Sequence, residues 1–565
     1  MRSGIQNKGR FSQVSGTFRD GFLINAVLLA SAVLLFAVSH PNPLFPKGVA
    51  AAGWVAYIPV FLLVRRCSLP ASIFWGAVYG YAAYNLFGYW LAVFHPLAGI
   101  IVGTLELFWF ALLFFLLKLI SRLMPRFAYI PQTLLWVGFE YLRTLGFAGY
   151  PYGFIAYSQW QVIPLIQIAG LAGAWAVSAV ALFPQAVLGH ALPALSGSLT
   201  GNRAHGARNG GLLAAASALK RFPKPLFPLI PYLVILAAVL VYGFAVPHDF
   251  SAETQTKVAL IQHNTDPWKG GLAEYRENFR VLARLSDEAL RESPDIDLVV
   301  WSETAFVPRI YWHQTYRDDP DSYALVKDLL EYLAAKPVPF LIGNDDARRE
   351  LQPNGQWERV DYNAAILFRK AEIVNQYRKL HLVPFTEYFP YEKQFPLIYQ
   401  WLLAADTHFW EPGKEATVFE IAGGSSGRLL KFSTPICFED SFADLSRAFT
   451  QNGAELIVNI SNDAWSGSLS AQYQHLSMAV FRAVENRRAL VRSTASGQTC
   501  VVMPDGAVLS ESAPFAENYL TARAPLMAGT TLYTALGDFF PALCLAFALI
   551  ALVFAAVTRN KRQEI

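Results

Sequence analysis

The residues best able to do chemistry lie in three short stretches. Ser433-Thr434-Pro435-Ile436-Cys437-Phe438-Glu439-Asp440 follows an apolar run containing Leu429, Leu430 and Phe432, so a cysteine stands at the end of a buried strand, just before a turn. From there a fold can offer a nucleophile to a cleft. Trp301-Ser302-Glu303-Thr304 puts a carboxylate just beyond a second buried run at 296–301. Tyr377-Arg378-Lys379-Leu380-His381-Leu382-Val383-Pro384-Phe385 sets a lysine and a histidine in an otherwise apolar segment. A free thiol, with a pKa near ~8.5, is mostly protonated at neutral pH and needs a base or a cation beside it. Glu303 can accept that proton and return it to a leaving group. Lys379 can favour the thiolate and stabilise the oxyanion of a tetrahedral intermediate. His381 is expected to stack or to make a structural hydrogen bond rather than act as a base. Each residue also has an ordinary use: Cys437 as a small buried hydrophobe, Glu303 as a helix-capping partner, Lys379 in an ion pair. Their common placement at strand ends favours chemistry, because strands running the same way bring their ends to one edge.

The elements that would position them are legible as a change of period. Short strand-like runs at 257–262, 296–301, 339–343, 363–368, 428–432 and 454–459 alternate with helical patterns at 272–291, 322–335 and 472–488. This order predicts an α/β sandwich whose sheets are buried on both faces.

The rest of the chain belongs to a different solvent. Of 565 residues, 54% are hydrophobic and 16% charged, with a mean hydropathy of +0.30, which marks a membrane protein with a sizeable soluble part. A net charge of +4, with no basic stretch interleaved with aromatics, excludes a nucleic-acid role. Apolar runs at 21–39, 45–64, 71–93, 97–120, 129–147, 162–190, 226–246 and 535–557 are each near or above the ~20 residues that cross a bilayer, so about eight transmembrane helices are expected. No small-residue cleavage pattern follows the first, which therefore reads as an uncleaved helix. Loops on the side of the N-terminus carry Arg65, Arg66, Lys118, Arg122 and Arg126, and the C-terminal tail carries Arg559, Lys561 and Arg562, whereas the alternate short loops hold only Lys47 and Arg143. That bias places both termini in the cytoplasm. The expected organisation is a membrane domain of seven helices over 1–247, an extracytoplasmic catalytic domain over 248–530, and a final helix with a basic cytoplasmic tail over 531–565. The Gly/Ser/Ala-rich stretch 191–225 reads as a flexible cytoplasmic connector without assigned function.

Two apolar features sit near the predicted outer face. The loop 146–154, with Tyr150 and Tyr152, reads either as an interfacial aromatic belt or as a loop that touches substrate. The segment 395–403, with Phe409 and Trp410, reads either as a helix of the domain core or as a lid dipping into the outer leaflet. The four cysteines, Cys67, Cys437, Cys500 and Cys544, form no CxxC pair, so neither a disulfide framework nor a zinc site is expected, with a Cys437–Cys500 bridge as the one structural alternative. No metal-ligand cluster or phosphate-binding glycine loop is present in the sequence, and no cofactor is expected.

The runs WSETAF, YRKLHLVPFTEYFP, PICFED and NISNDAW closely resemble the nitrilase superfamily with its Glu-Lys-Cys triad. With the membrane helices around them, and with the stretch from GYPYG to YSQW, they resemble the apolipoprotein N-acyltransferase family over nearly the whole chain. That resemblance implies an αββα catalytic sandwich and a ping-pong reaction. An acyl chain passes from a membrane phospholipid to the cysteine as a thioester, and then to the α-amine of an S-diacylglyceryl cysteine at the N-terminus of an apolipoprotein. It implies Glu303 as general base, Lys379 as oxyanion stabiliser and Cys437 as nucleophile. Glu387 resembles the family's second carboxylate, Glu439 the acidic residue that shapes the nucleophile loop, and Trp268 a tryptophan important in the family. Phe438 departs from the family's frequent tyrosine after the nucleophile and loses its hydroxyl. Tyr150, Tyr152 and Trp465 are expected to border the substrate pocket. The implied setting is the bacterial cytoplasmic (inner) membrane, multi-pass and monomeric, with the catalytic domain on the periplasmic side.

Two other readings remain at this point: a membrane-tethered amidase that hydrolyses its acyl-enzyme, and a non-catalytic lipid-binding scaffold. If 395–410 is a lid, its backbone amides will exchange hydrogen more slowly in lipid bilayers than in detergent; equal exchange in the two rules the lid out.

Overall fold

Short apolar strands buried on both faces decide the architecture of the catalytic half. The structure is a computed structural model and describes residues 6–94, 98–201, 224–352, 355–404, 409–422 and 429–563. The strands are β1 (Gln255–Gln262), β2 (Leu298–Trp301), β3 (Phe340–Leu351), β4 (Trp357–Arg369), β5 (Glu372–Arg378), β6 (Val418–Ala422), β7 (Leu429–Ser433), β8 (Leu456–Ser461), β9 (Ala489–Thr494), β10 (Cys500–Val502), β11 (Val508–Glu511) and β12 (Asn518–Pro525). Among the described residues they make two six-stranded sheets, ordered β12-β1-β2-β3-β4-β5 and β11-β10-β9-β8-β7-β6. The centres of both are parallel, β1 with β2 and β2 with β3 in one, β7 with β8 and β8 with β9 in the other.

Successive side chains point to opposite faces of a strand, so each strand feeds two cores. Val258, Leu260, Leu298, Val300, Leu456, Val458 and Val491 face one another between the sheets. Ala259, Ile261, Val299 and Trp301 point outward and pack with Leu282, Leu285, Leu325 and Leu329, from the helices Leu272–Glu292 and Pro320–Ala334. On the far side, Ile457 and Leu490 join a cluster with Leu476, Val480 and Phe481 of the helix Leu469–Asn486, and the same cluster continues into Phe36, Tyr57, Trp136 and Phe154 of the membrane half. The sandwich is therefore αββα, and its last helical layer lies against the membrane helices. Ser468 caps that helix, accepting from Ala471 N at 3.3 Å.

Four described helices are long and apolar enough to cross a membrane: Gly21–Ser39, Ala98–Leu123, Ala174–Leu192 and Phe539–Arg559. The other apolar runs form shorter or interrupted helices. The 45–64 run gives Ala50–Gly53 and Ile58–Arg66, with a proline in the first turn of the second. The 162–190 run is broken at Gly173, whose φ of 73° ends the turn Ala169–Ala172 before the helix Ala174–Gly201 begins. The 71–93, 129–147 and 226–246 runs become Leu69–Phe87, Tyr129–Leu142 and Leu229–Ala245. Most of the 191–225 connector lies outside the described residues.

One sequence expectation changes, and one alternative falls away. Arg143 is not a loop cation: it is buried, pairs with Glu106 at 2.6 Å, and lies 4.7 Å from the centre of the Tyr84 ring. The alternative Cys437–Cys500 bridge is not formed, and all four cysteines are free and buried.

Gly343 on β3 lies under the chain leaving β2, where an added Cβ would stand 2.2 Å from Ser302 O and 2.7 Å from Glu303 Cα. Both are backbone atoms and cannot rotate away. Gly343→Ala is expected to destabilise the protein by about 1–3 kcal/mol through overpacking, read as a lower melting temperature in detergent, together with loss of activity because Glu303 is displaced.

Candidate active site

Cys437, Glu303 and Lys379 follow the C-terminal ends of β7, β2 and β5. β5 is antiparallel to β4 and β4 to β3, so β5 runs in the direction of the parallel strands and delivers its end to the same edge. Pairing rules alone thus bring two of the three residues together, and face-to-face packing of the sheets adds Cys437.

The Lys379 side chain is fully buried and bridges two carboxylates, Glu303 Oε1 at 3.2 Å and Glu387 Oε1 at 2.9 Å. Its backbone is fixed by Lys379 N to Asn363 O and Gly413 N to Lys379 O, both 2.8 Å. Glu303 is held from three directions, by Lys379, by Asn363 Nδ2 at 2.9 Å and by Asn462 N at 3.0 Å. Glu387 also accepts from Val383 N at 2.9 Å, which closes the loop after the lysine.

Cys437 opens a short 3-10 turn, Cys437–Ser441, with a left-handed φ of 55°. Such a conformation in a non-glycine residue costs roughly 1–3 kcal/mol and persists only where its surroundings impose it. Here Asn459 Nδ2 donates to both Pro435 O and Cys437 O at 3.1 Å, and Ile436 bridges to Ile460 of β8. Glu439 fixes the turn further. Its carboxylate accepts from Ile436 N at 2.7 Å, Leu380 N at 2.7 Å, His381 N at 2.9 Å and Tyr377 Oη at 2.8 Å. One buried side chain thereby ties the Cys437 turn to the lysine segment.

Phe438 makes a contact that the sequence did not suggest: Lys379 Nζ lies 5.4 Å from the centre of its ring. His381 stacks on Phe442 at 4.4 Å with an interplanar angle of 11°, as expected of a structural histidine. Tyr150 stacks on Tyr152 at 4.8 Å, and Trp90 lies between Tyr152 (6.2 Å) and Trp465 (5.3 Å). Tyr152 is buried, and Cys437 is one of the groups that raise its hydroxyl well above the ordinary value, after burial and Tyr150. Trp268, by contrast, is 62% exposed on the loop after β1. Phe147 sits against Phe385 and Tyr391, each at 5.4 Å, so the 146–154 loop touches the segment that carries Glu387. The helix Pro396–Ala404 buries only Leu402 and exposes Leu397 by 80% and Trp401 by 48%, which excludes a helix of the domain core.

The electrostatics suit a nucleophile that must be activated. Burial, then the Glu303 charge, push the Cys437 thiol well above its ordinary value, and Lys379 only partly offsets them. Burial opposes the Lys379 charge, but Glu303 and Glu387 more than compensate and hold the ammonium well above the ordinary lysine value. Burial raises Glu387 against the pull of Lys379, and pushes Glu439 up to about 7 against its backbone donors. The arrangement can take a proton from a thiol, hold a fixed positive charge beside a forming oxyanion, and return the proton. The described residues contain no group of His, Cys, Asp and Glu side chains able to hold a metal ion.

Asn363, Tyr377 and Asn459 were not singled out in the sequence. Each acts on a residue far away along the chain, and the only local sign was a polar side chain in or beside a β-rich run.

Residues 257–530 match the carbon-nitrogen hydrolase family, and residues 30–187 match the apolipoprotein N-acyltransferase N-terminal domain. Apolipoprotein N-acyltransferase 1 of Treponema pallidum (strain Nichols) is 48% identical over 514 residues, covering 89% of this chain and 90% of that protein. Apolipoprotein N-acyltransferase 1 of Treponema denticola is 40% identical over 570 residues, covering 96% and 98%. Among solved structures, Saccharomyces cerevisiae Nit3, a member of the nitrilase superfamily, aligns at 20% identity and a TM-score of 0.34, over 50% of this chain and 93% of that one.

Because the resting thiol titrates well above the ordinary range, its thiolate fraction should climb about tenfold per pH unit between about pH 7 and about pH 9. Iodoacetamide alkylation of Cys437 in the substrate-free protein is expected to follow that slope without levelling off; a plateau within the window contradicts it.

Proposed function

The chain belongs to the apolipoprotein N-acyltransferase family, and from that membership we propose the residues and steps by which it N-acylates lipoproteins in a bacterial membrane. The observation that carries the reading is the buried Glu303–Lys379–Glu387 cluster meeting the left-handed Cys437 turn beside a bundle of apolar helices. Cys437 is the nucleophile, Glu303 the general base and acid, and Lys379 the oxyanion stabiliser. Glu387 supports the lysine, and Glu439 and Phe438 shape its surroundings.

In the first half-reaction Glu303 takes the Sγ proton and the thiolate adds to an ester carbonyl of a membrane phospholipid. Negative charge gathers on the carbonyl oxygen, beside the Lys379 ammonium and the backbone N–H groups at 437–438. The intermediate collapses by breaking the C–O bond, and Glu303 protonates the departing glycerol oxygen. Lysophospholipid leaves, and the acyl chain stays on Cys437 as a thioester. In the second half-reaction the α-amine of an S-diacylglyceryl cysteine attacks the thioester. Glu303 accepts the amine proton, the C–S bond breaks, the thiol is reprotonated and an amide is released. Tyr150, Tyr152 and Trp465 line the approach, and the exposed apolar face of Pro396–Ala404 contacts the outer leaflet, where both lipid substrates reside.

The same reading sets the frame. Residues 1–247 form the membrane domain, 248–530 the catalytic domain on the outer side, and 531–565 the last helix and its cytoplasmic tail, with eight crossings once the shorter apolar helices are counted. The basic tail supports that orientation. Lys47, a cation assigned to the outer side, is matched there by Glu511 at 3.0 Å.

A membrane-tethered amidase would use the same thioester and pass it to water; a scaffold would form none. Incubating the protein with phospholipid labelled in its acyl chain, then adding a diacylglyceryl lipopeptide, separates the three. Label should appear on Cys437 and move to the peptide amine, and Cys437→Ser should form neither product. Label ending as free fatty acid identifies the amidase, and absence of labelled protein and product leaves the scaffold.

A further inference from the structure

The helix Leu469–Asn486 touches both halves of the molecule through adjacent residues. Gln474 accepts from Trp90 Nε1 at 2.8 Å and donates to Pro41 O at 2.9 Å and Phe87 O at 3.0 Å, all in the membrane half. His475 faces the catalytic half and enters a buried cluster with Asp440, Asp463 and Arg492. Its Nε2 lies 2.7 Å from Asp440 Oδ1, a carboxylate oxygen that can only accept, so this nitrogen carries the proton. Its Nδ1 faces Asp463 Oδ1 at 3.1 Å and Arg492 Nη2 at 2.7 Å. Arg492 closes the ring by donating to Asp440 Oδ2 at 2.7 Å and Asp463 Oδ2 at 2.9 Å. Burial pushes the Asp463 carboxyl up, but Arg492 and His475 more than offset it and hold it well below the ordinary value.

None of these four groups belongs to the triad, yet the two carboxylates sit where the triad is built. Asp440 lies in the same short turn as Cys437, three residues on. Asp463 follows Asn462, whose N–H donates to Glu303 at 3.0 Å. A single imidazole therefore faces a carboxylate of the nucleophile turn and the neighbour of the base's backbone partner. Four buried ionisable groups add little net stability over a well-packed apolar core, so such a cluster is better explained by the geometry it specifies.

We propose that His475 is a positioning residue: fixed to the membrane half through Gln474, it holds Asp440 and Asp463 so that Cys437 and Glu303 keep their reacting geometry only while the two halves are docked. The proposal rests on the reading of Cys437 as the acylated nucleophile.

The test uses the full chain in phospholipid nanodiscs and single-turnover labelling from phospholipid with a labelled acyl chain. Displacement of reacting groups on the ångström scale costs about a hundredfold in rate. His475→Ala is expected to lower the maximal acylation rate by about 10- to 100-fold while the half-saturating phospholipid concentration stays within about twofold. Gln474→Leu keeps every member of the cluster and removes the tether, and should slow the same step by about 3- to 10-fold, again without weakening phospholipid use. It carries the test alone if His475→Ala fails to give a cooperative thermal transition. Wild-type acylation rates in the folded variants, or an effect confined to the half-saturating concentration, overturn the proposal. Cys437→Ser, run in parallel, separates the two layers. If it still acquires label, the nucleophile reading falls and takes the proposal with it; if it stays unlabelled while His475→Ala acylates at the wild-type rate, only the positioning role falls.

Discussion

A buried carboxylate, that of Glu439, joins the two chain segments on which the proposed chemistry rests. The Cys437 turn leaves β7 of one sheet and the lysine segment leaves β5 of the other; between the sheets, apolar side chains pack without a preferred register, joined by Ser493 Oγ, which donates to Ile261 O at 3.2 Å and Val300 O at 3.1 Å. Register between the two loops comes from Glu439, which takes hydrogen bonds from Ile436 on one and from Tyr377, Leu380 and His381 on the other. Without it the backbone N–H groups of Ile436, Leu380 and His381 would lose this partner, and for the buried Ile436 group alone that costs about 1–3 kcal/mol. The constraint is strong because it is local to the site and fully withdrawn from solvent.

Much of the fold was legible because its cause is local. Short apolar runs in 257–262, 296–301, 428–432 and 454–459 mark strands, with Glu303 just beyond the second and Cys437 just beyond the third. Strands β5, β6 and β9 to β12 were missed; β10 spans only Cys500–Val502 and β11 only Val508–Glu511, too short to display a pattern. The partners of the triad, Asn363, Tyr377 and Asn459, were illegible for a different reason: their bonds cross between strands and sheets.

The membrane half reads less simply than its hydropathy. Long apolar runs imply straight crossings, but Gly173 and the prolines after Tyr57 and Val162 divide them into short helices. Arg143 answers to the same logic. An arginine beside an apolar run resembles a loop cation, yet Glu106 and four surrounding aromatic rings accommodate it in the interior. There it also donates toward Tyr152 O, in the loop that approaches Cys437.

The helix Leu469–Asn486 is buried from Ser470 through Asn486, part of it in a cluster shared with residues that precede the catalytic half in the chain. Synthesis runs in that order, so the apolar surface that receives the helix is made some hundreds of residues before the helix itself. A helix covered on every side has no stable free-standing form. The catalytic half therefore completes its outermost layer by docking onto segments already in the bilayer, and the protein matures as a membrane-bound unit rather than as a soluble enzyme later attached to one. Severed from its bundle, that half would present Tyr473, Val480, Phe481 and Val484 to water as an adhesive face.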